Sequence, residues 1–409
     1  MRANKFFINM FNLGVLLFSV SILLPFNFRN TPFIIFSLVT LYFFCKPKLN
    51  NQKEYLKILI VNTLYFVFMM ISISYTDNFS EGTENLLSIS PMLIMPLTFY
   101  AVFTRINVKN LPTQNKLYEL FFISTILFFS AILIYSLFKG FFTKTYLLHY
   151  PERITVKLGK YSMHPLYASM LVVISLIFST SIYKTLKHRF TKILFFISIV
   201  FLFCQLILLA RKSPILISAI IFIFYFISLK SRKALGCFIL TLIVFAILIF
   251  SNQLLKERFF EFISAILNPD LNNLGSTSTR LRIYNFSLEA ISKAPIFGYG
   301  IGDVKDVLSK YYIENNSTYF NSHNQFLGAW LSCGIMGFIS FLSIFVIGFK
   351  KAFKSRDFIY FSVLFLFFAM AVIENFIEKQ NGILLFSFLV NFFAFKEVDN
   401  YKKKEENAK

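Results

Sequence analysis

The sequence predicts an all-α integral membrane protein with about twelve transmembrane helices, and two observations lead to this prediction. The chain of 409 residues is 56% hydrophobic and only 15% charged, with 57 phenylalanines. Apolar runs of about 15 to 25 residues recur along it, each long enough to cross a bilayer core of roughly 30 Å. Because lipid offers no hydrogen-bond partner to the backbone, each crossing segment is expected to be a helix.

Hydropathy places the spans in a regular order along the chain. The predicted spans lie at about 6–24, 31–45, 56–75, 86–103, 118–138, 165–183, 193–210, 213–229, 234–250, 324–349, 358–373 and 380–395. The first span follows Arg2 and Lys5 and has no small-residue cleavage site, so we expect an uncleaved anchor. The predicted organisation is nine helices in 1–250, a large loop at 251–322 containing amphipathic helices, three helices in 323–396 and a basic tail at 397–409.

A formal net charge of +21 would also suit a nucleic-acid-binding protein, but the position of the charges predicts no such partner. Once the loop 251–322 is set aside, lysines and arginines concentrate in the loops on the side of the N-terminus, as is typical of cytoplasmic loops. We therefore expect a multi-pass protein of the bacterial inner membrane with both termini cytoplasmic and its large loop periplasmic. The four cysteines lie within spans at irregular spacing, which predicts neither disulfides nor a zinc site.

The predicted span interiors carry almost no charged residues. Ion-coupled transporters usually place ionisable side chains near the bilayer midplane, and many are built from inverted repeats that this sequence does not show. A polysaccharide or lipid-linked sugar transporter is therefore disfavoured, although it stays the alternative from another class. The polar segments on the outer side are the natural place to look for chemistry.

The first candidate site residue is His323, in the stretch "NSHNQFLGAWLSCG" at the predicted start of a span. Continued as a helix, this stretch would place His323 on one face with Leu327, Trp330 and Gly334. The small Gly334 would let that face pack closely inside the helix bundle. The alternative is a histidine that merely marks where the span leaves water.

The second candidate segment is Ser276 to Gly300, which predicts an amphipathic helix ended by Pro295. Leu281, Tyr284, Leu288 and Ile291 recur at helical spacing on its apolar face, and Glu289 can pair with Lys293. Arg280 falls in the apolar sector and therefore needs a partner. A phosphate oxygen would suit its guanidinium group, and contact with lipid headgroups is the alternative.

Three further outer segments carry weaker signals. Arg211 and Lys212 form a short, positively charged connection, which a lipid diphosphate or simple headgroup contact would explain. Arg153 and His164 flank a loop that would form another wall of an anionic pocket. The "GYGIGD" stretch lacks dinucleotide-binding spacing and is interpreted as a flexible turn. Asp77, Glu81 and Glu84 could bind a metal, but a solvated acidic loop is the simpler reading, and no metal or cofactor is predicted.

Together, a histidine and several arginines on the outer face suit transfer from a lipid-linked diphosphate. The arginines would neutralise the leaving diphosphate, and His323 would remove a proton from the acceptor hydroxyl. A hydrolase of lipid diphosphates would use similar groups.

These motifs resemble those of the O-antigen ligase and Wzy-type polymerase superfamily. The resemblance rests on the H-N-x-x-L-x6-G pattern beginning at His323, on "TRLRIYNFSLEAISKAPIFGYGIG" before it, on "ARKSP", and on the R-I-x-x-x-x-G stretch that begins at Arg153. It implies a GT-C-like, metal-independent glycosyltransferase that takes a glycan from undecaprenyl diphosphate and uses no cofactor. Ligases pass it to lipid A-core, and polymerases pass it to another lipid-linked repeat unit; the sequence does not separate the two.

The resemblance also implies roles for individual residues. His323 would be catalytic, while Arg211, Arg280 and, less directly, Arg153 would bind the diphosphate of the donor. The residues beside them, Asn324, Lys212, Tyr284 and His164, would have supporting roles. The expected partners are the lipid-linked glycan donor, a lipid A-core or glycan acceptor, and membrane lipids.

Overall fold

The computed structural model shows the helical protein that the sequence predicts. It describes residues 2–47, 53–106, 114–138, 158–229, 276–314 and 321–406, together with positions 150 and 154 and isolated positions between 236 and 264. No β-strand occurs in these ranges. The predicted span at 234–250 and the loop segment 265–275 lie wholly or mostly outside the described residues.

The described α-helices are named here in chain order. They are α1 (Arg2–Val20), α2 (Thr31–Phe44), α3 (Lys53–Ser72), α4 (Phe79–Ser88), α5 (Pro91–Phe103), α6 (Gln114–Phe138), α7 (Pro165–Thr185), α8 (Arg189–Leu208), α9 (Lys212–Ser228), α10 (Ser276–Lys293), α11 (Val304–Glu314), α12 (Gln325–Ser355), α13 (Phe358–Ile373) and α14 (Gln380–Glu406).

Seven helical segments of the described chain are long and apolar enough to cross a membrane, by length and composition. These are Lys5–Leu23, Lys53–Tyr75, Phe79–Phe103, Gln114–Tyr135, Pro165–Thr185, Arg189–Leu208 and Gln325–Ser355, and the apolar helices α2, α9 and α13 are shorter. The span predicted at 86–103 lies within the candidate segment Phe79–Phe103, in which α4 ends at Ser88 and α5 begins at Pro91. The last helix continues to Glu406, beyond the predicted end of its span.

The chain divides into two compact units, Met1–Val39 with Lys109–Phe260 and Thr40–Val108 with Glu261–Lys409. In the first unit, α7 is the most buried of the candidate spans and packs against α6. The hydroxyl group of Ser175 donates a hydrogen bond of 2.7 Å to Thr125 across that contact. Such bonds keep buried hydroxyl groups satisfied where water is excluded.

In the second unit, α3, α5, α12, α13 and α14 pack around a core rich in phenylalanine. Phe367 and Phe386 are fully buried, and their rings meet edge to face at a centroid distance of 5.2 Å. A buried hydrogen bond of 2.8 Å joins Asn62 on α3 to Asn391 on α14. The packing of this core brings the C-terminal ends of α3 and α13 to the same side of the unit as the N-terminal ends of α12 and α14.

Helix α12 is broken at Gly334, where φ is +63°. A Cβ atom there would lie 1.9 Å from the carbonyl oxygen of Ile296, so only glycine admits the turn that follows α10. That turn satisfies backbone groups freed by the break: Tyr299 N–H donates to Leu331 O (2.7 Å), Gly300 N–H to Ser332 O (3.0 Å), and Pro295 O accepts from Ile335 N–H (3.0 Å). The turn interpreted as flexible is therefore docked, and Gly334 accommodates this turn rather than a neighbouring helix.

Candidate active site

His323 lies immediately before α12 and not on it. The helix begins at Gln325, and Asn324 is its N-cap, whose Oδ1 accepts hydrogen bonds from the backbone N–H groups of Phe326 (2.9 Å) and Leu327 (3.2 Å). The predicted helical face that would carry His323 is therefore wrong, because the first helical residue, Gln325, lies two positions after it. Asn324, for which a supporting role is predicted, is the N-cap with which the helix starts.

The backbone of His323 is held in an uncommon conformation. Its φ of +44° is in the left-handed region that side chains other than glycine rarely adopt. Its N–H donates to Asn321 Oδ1 at 3.2 Å, and its carbonyl oxygen lies 3.2 Å from the hydroxyl group of Tyr284, which also lies 3.0 Å from Val372 O. Strain of this kind persists where surrounding contacts fix it, and it is concentrated at functional sites.

The imidazole ring of His323 is joined to a carboxylate that the sequence analysis missed. Nδ1 lies 2.9 Å from Oε2 of Glu374, the residue that ends α13. The other oxygen of the same carboxylate, Oε1, accepts a hydrogen bond of 2.7 Å from Arg280 on α10. One carboxylate thus connects the predicted catalytic histidine with a predicted diphosphate-binding arginine.

The three side chains are largely enclosed, with 22% of His323, 18% of Glu374 and 28% of Arg280 exposed. Burial by itself raises the pKa of Glu374, but the hydrogen bond and charge of His323, together with those of Arg280, outweigh it and leave the pKa lowered. Glu374 is therefore a carboxylate at neutral pH and accepts from an Nδ1–H. Whenever the ring of His323 is neutral and keeps this Nδ1–H, its Nε2 carries the lone pair that a general base needs.

Arg280 was predicted to need a partner because it falls in an apolar sector of its helix, and that partner is Glu374. Its Nε is buried and makes no hydrogen bond within the described part of the chain. Buried N–H groups of arginine without partners are costly, and a guanidinium fork matches an anion that offers two oxygens. The residue therefore retains capacity for an anionic ligand while it is bound to Glu374.

The helix that carries Arg280 forms as predicted, from Ser276 to Lys293, and the Glu289–Lys293 ion pair is present at 3.2 Å. Its packed face differs from the predicted one, since Leu288 is 50% exposed. Ile291 is buried as predicted, but the other buried residues on the side toward α11 and α12 are Ile283, Ser287 and Ala290, which were not on the predicted face. The small Ser287 and Ala290 allow close contact, which hydropathy spacing alone does not reveal.

A cavity of about 490 Å³ opens beside His323. It is bounded by α3, α4, α11, the start of α12 and the connection between α13 and α14. This volume is within the range of about 300–1,000 Å³ that is typical of small-molecule sites. Its polar lining includes six side-chain amides and carboxylates: Glu81, Asn85, Asn321, Gln325, Asn375 and Glu378.

Glu378 is the second acidic residue that the sequence analysis missed. Its carboxylate accepts hydrogen bonds from the amides of Asn321, at 2.9 Å, and Asn375. Loss of solvation beside the surrounding protein raises the pKa of Glu378. The hydrogen bonds from Asn375 and Asn321 lower this pKa, but only in part. A signal was present in the sequence, since "ENFIEK" interrupts two apolar runs on the predicted side of His323.

The other predicted site residues belong to the first unit or lie outside the described residues. Arg211 is the N-cap of α9 and Lys212 its first residue. His164 is the N-cap of α7, and its Nδ1 accepts a hydrogen bond of 3.3 Å from the backbone of Leu166. Arg153 is outside the described residues, so its predicted role stays a prediction.

The acidic residues predicted in the outer loop, from Asp77 to Glu84, lie in a segment that makes contacts within the protein. The carboxylate of Asp303 accepts hydrogen bonds from the backbone N–H groups of Asp77 (2.8 Å) and Asn78 (2.7 Å), and Glu81 lies 3.7 Å from Lys305. In the part of the chain that the structure describes, no group of three or more His, Cys, Asp or Glu side chains is placed to hold a metal ion.

Comparison with known proteins finds a similar protein and a matching family model. An uncharacterized protein of Haemophilus influenzae (strain ATCC 51907 / DSM 11121 / KW20 / Rd) is 25% identical over 352 residues, which are 81% of this chain and 82% of that protein. Residues 193–342 match the Wzy_C family model, described as O-Antigen ligase. The matched segment contains Arg211, Arg280 and His323. This match supports the resemblance of the chain to the superfamily of O-antigen ligases and Wzy-type polymerases.

Proposed function

We propose that this chain is a glycosyltransferase that moves a glycan from undecaprenyl diphosphate to a hydroxyl group of lipid A-core or a similar acceptor. The reaction would occur at the periplasmic face of the bacterial inner membrane. The O-antigen ligase domain supports the reaction class. The observation that carries the chemistry is the single carboxylate of Glu374, which binds both His323 and Arg280.

The proposed reaction is one displacement at the anomeric carbon of the donor glycan. Nε2 of His323 takes the proton of the acceptor hydroxyl as the new carbon–oxygen bond forms, while Glu374 stabilises the resulting imidazolium. The bond between the anomeric carbon and the diphosphate oxygen breaks, and undecaprenyl diphosphate leaves as an anion. Arg280, together with Arg211 by resemblance, would neutralise the negative charge that develops on the leaving group.

Three possible functions are separated by deleting the gene and analysing lipopolysaccharide on gels. A ligase predicts loss of all O-antigen and accumulation of polymerised, lipid-linked glycan. A Wzy-type polymerase predicts lipid A-core that carries a single repeat unit. A transporter of lipid-linked sugar predicts glycan that remains on the cytoplasmic side of the membrane.

The catalytic proposal is tested by His323→Ala. The variant should insert and fold like the wild type, since only a partly exposed side chain before α12 is shortened, and it should lose glycan transfer entirely. Protein level and melting temperature in detergent provide the folding control. Normal decoration of the acceptor by this variant would contradict the role of His323.

A further inference from the structure

We propose that the cavity beside His323 is the subsite for the acceptor glycan, and that Glu378 binds a hydroxyl group of its terminal sugar. This assignment rests on the proposed glycosyl transfer and adds to it the position and chemistry of one substrate. The donor diphosphate is correspondingly assigned to the Arg280 side of His323.

The lining of the cavity suits a polyol. Side-chain amides offer both donors and acceptors, and a carboxylate offers about four acceptor positions, so together they match adjacent sugar hydroxyl groups. Asn321, Gln325, Asn375 and Glu378 present these groups next to His323, and the apolar side chains of Met69 and Leu308 form another part of the wall. A cavity that combines apolar surface with a few placed polar groups is typical of specific ligand sites.

The charges of the cavity argue against placing the diphosphate there. Its charged lining residues other than His323 are the acidic Glu81 and Glu378 and the basic Lys305 and Lys379. Lys305 is already 3.7 Å from Glu81, so the cavity has no clear excess of positive charge to attract an anion. Arg280 does not line the cavity, and a diphosphate inside it would lie near the carboxylate of Glu378.

Glu378 has acceptor capacity beyond its two amide partners. The bonds from Asn321 and Asn375 occupy two of its lone-pair positions and orient the carboxylate. Glu378 is an exposed residue that lines the cavity, so its carboxylate is accessible to a ligand, and each added hydroxyl donor would stabilise its charged form. An acceptor hydroxyl bound at Glu378 would bring the neighbouring hydroxyl groups of the same sugar toward His323.

The test measures acceptor and donor separately on the purified full-length protein. The probes are lipid A-core and undecaprenyl diphosphate-linked glycan from a strain in which the gene is deleted. Glu378→Gln should raise the KM for the acceptor about 10- to 100-fold, the effect of losing a hydrogen bond to a charged group. Binding of undecaprenyl diphosphate should stay unchanged. The matched control is Glu289→Gln, an exposed carboxylate on α10 outside the cavity, which should change neither value.

An unchanged acceptor KM in Glu378→Gln, or loss of undecaprenyl diphosphate binding in step with activity, overturns the acceptor subsite and leaves the proposed function standing. If wild-type protein transfers glycan neither to lipid A-core nor to a second lipid-linked glycan, the proposed function fails and the subsite with it. Should Glu378→Gln not fold, Glu378→Asp carries the same test, because it keeps the charge but withdraws it from the bound hydroxyl. The expected result is again a raised acceptor KM with intact diphosphate binding.

Discussion

Glu374 provides the sharpest test of the site, because its two oxygens have different partners. In Glu374→Gln, the amide oxygen is retained by Arg280, as the guanidinium can only donate. The amide NH2 group then faces Nδ1 of His323, which lies 2.9 Å from Oε2 in the wild type. An NH2 group donates, so Nδ1 must accept and the proton of the neutral ring moves to Nε2. The variant therefore holds the histidine in the tautomer that cannot act as a base.

The expected loss follows from that change of tautomer. General-base catalysis contributes about 10²- to 10⁴-fold, so Glu374→Gln should lose about that factor in the rate of glycan transfer at neutral pH. This corresponds to roughly 3–5 kcal/mol of activation free energy. The substituted side chain has nearly the same size, and so the surrounding packing should persist.

The assay is single-turnover transfer from the lipid-linked donor, which separates chemistry from product release. Glu374→Ala is the informative companion, because it leaves His323 free to adopt either tautomer. We expect Glu374→Gln to be at least as slow as Glu374→Ala, although it is the more conservative change. A Gln variant within about threefold of the wild-type rate would refute the assignment of Glu374 as the residue that sets the histidine tautomer.

Two further predictions concern the fold around the site. Gly334→Ala should lower thermal stability and activity together, because the Cβ of alanine would collide with the carbonyl oxygen of Ile296 at a φ of +63°. The effect is measured as the melting temperature in detergent, with Gly348→Ala on the same helix as the milder comparison. Equal stability of Gly334→Ala and wild type would contradict the docked turn. The lowered pKa of Glu374 means that its stabilising contribution is present above its ordinary value of 4.5 and is lost as pH falls through the lower folded-state pKa. Acid should therefore narrow the stability difference between wild type and Glu374→Gln, and a difference independent of pH would contradict the ion pair.

Local sequence signals determined the helices of this protein. Hydropathy runs located the described spans, the Ser/Thr-rich start and Pro295 bounded α10, and the i, i+4 spacing predicted the Glu289–Lys293 pair. These features depend on neighbours along the chain and on the exclusion of water from lipid, both of which can be read from the sequence. His323 and Arg280 were likewise singled out by their position within such patterns.

The tertiary structure decided what those two residues contact. Glu374 lies 51 positions from His323 and 94 from Arg280, so no local pattern joins the three. The extension of helical spacing back to His323 failed, because α12 begins only at Gln325, where the side chain of Asn324 caps its N-terminus. The packed face of α10 also depends on tertiary structure, because α11 and α12 cover Ile283 and Ala290 and leave Leu288 exposed.

The sequence by itself thus determined that this is a helical membrane protein with a histidine and arginines suited to phosphate chemistry. Only the tertiary structure decided that a carboxylate from the end of α13 joins them and that a second carboxylate, Glu378, lines a cavity beside them. The physical reason is that a buried charge requires a partner in space. Packing of helices distant in the chain determines which residue that partner is.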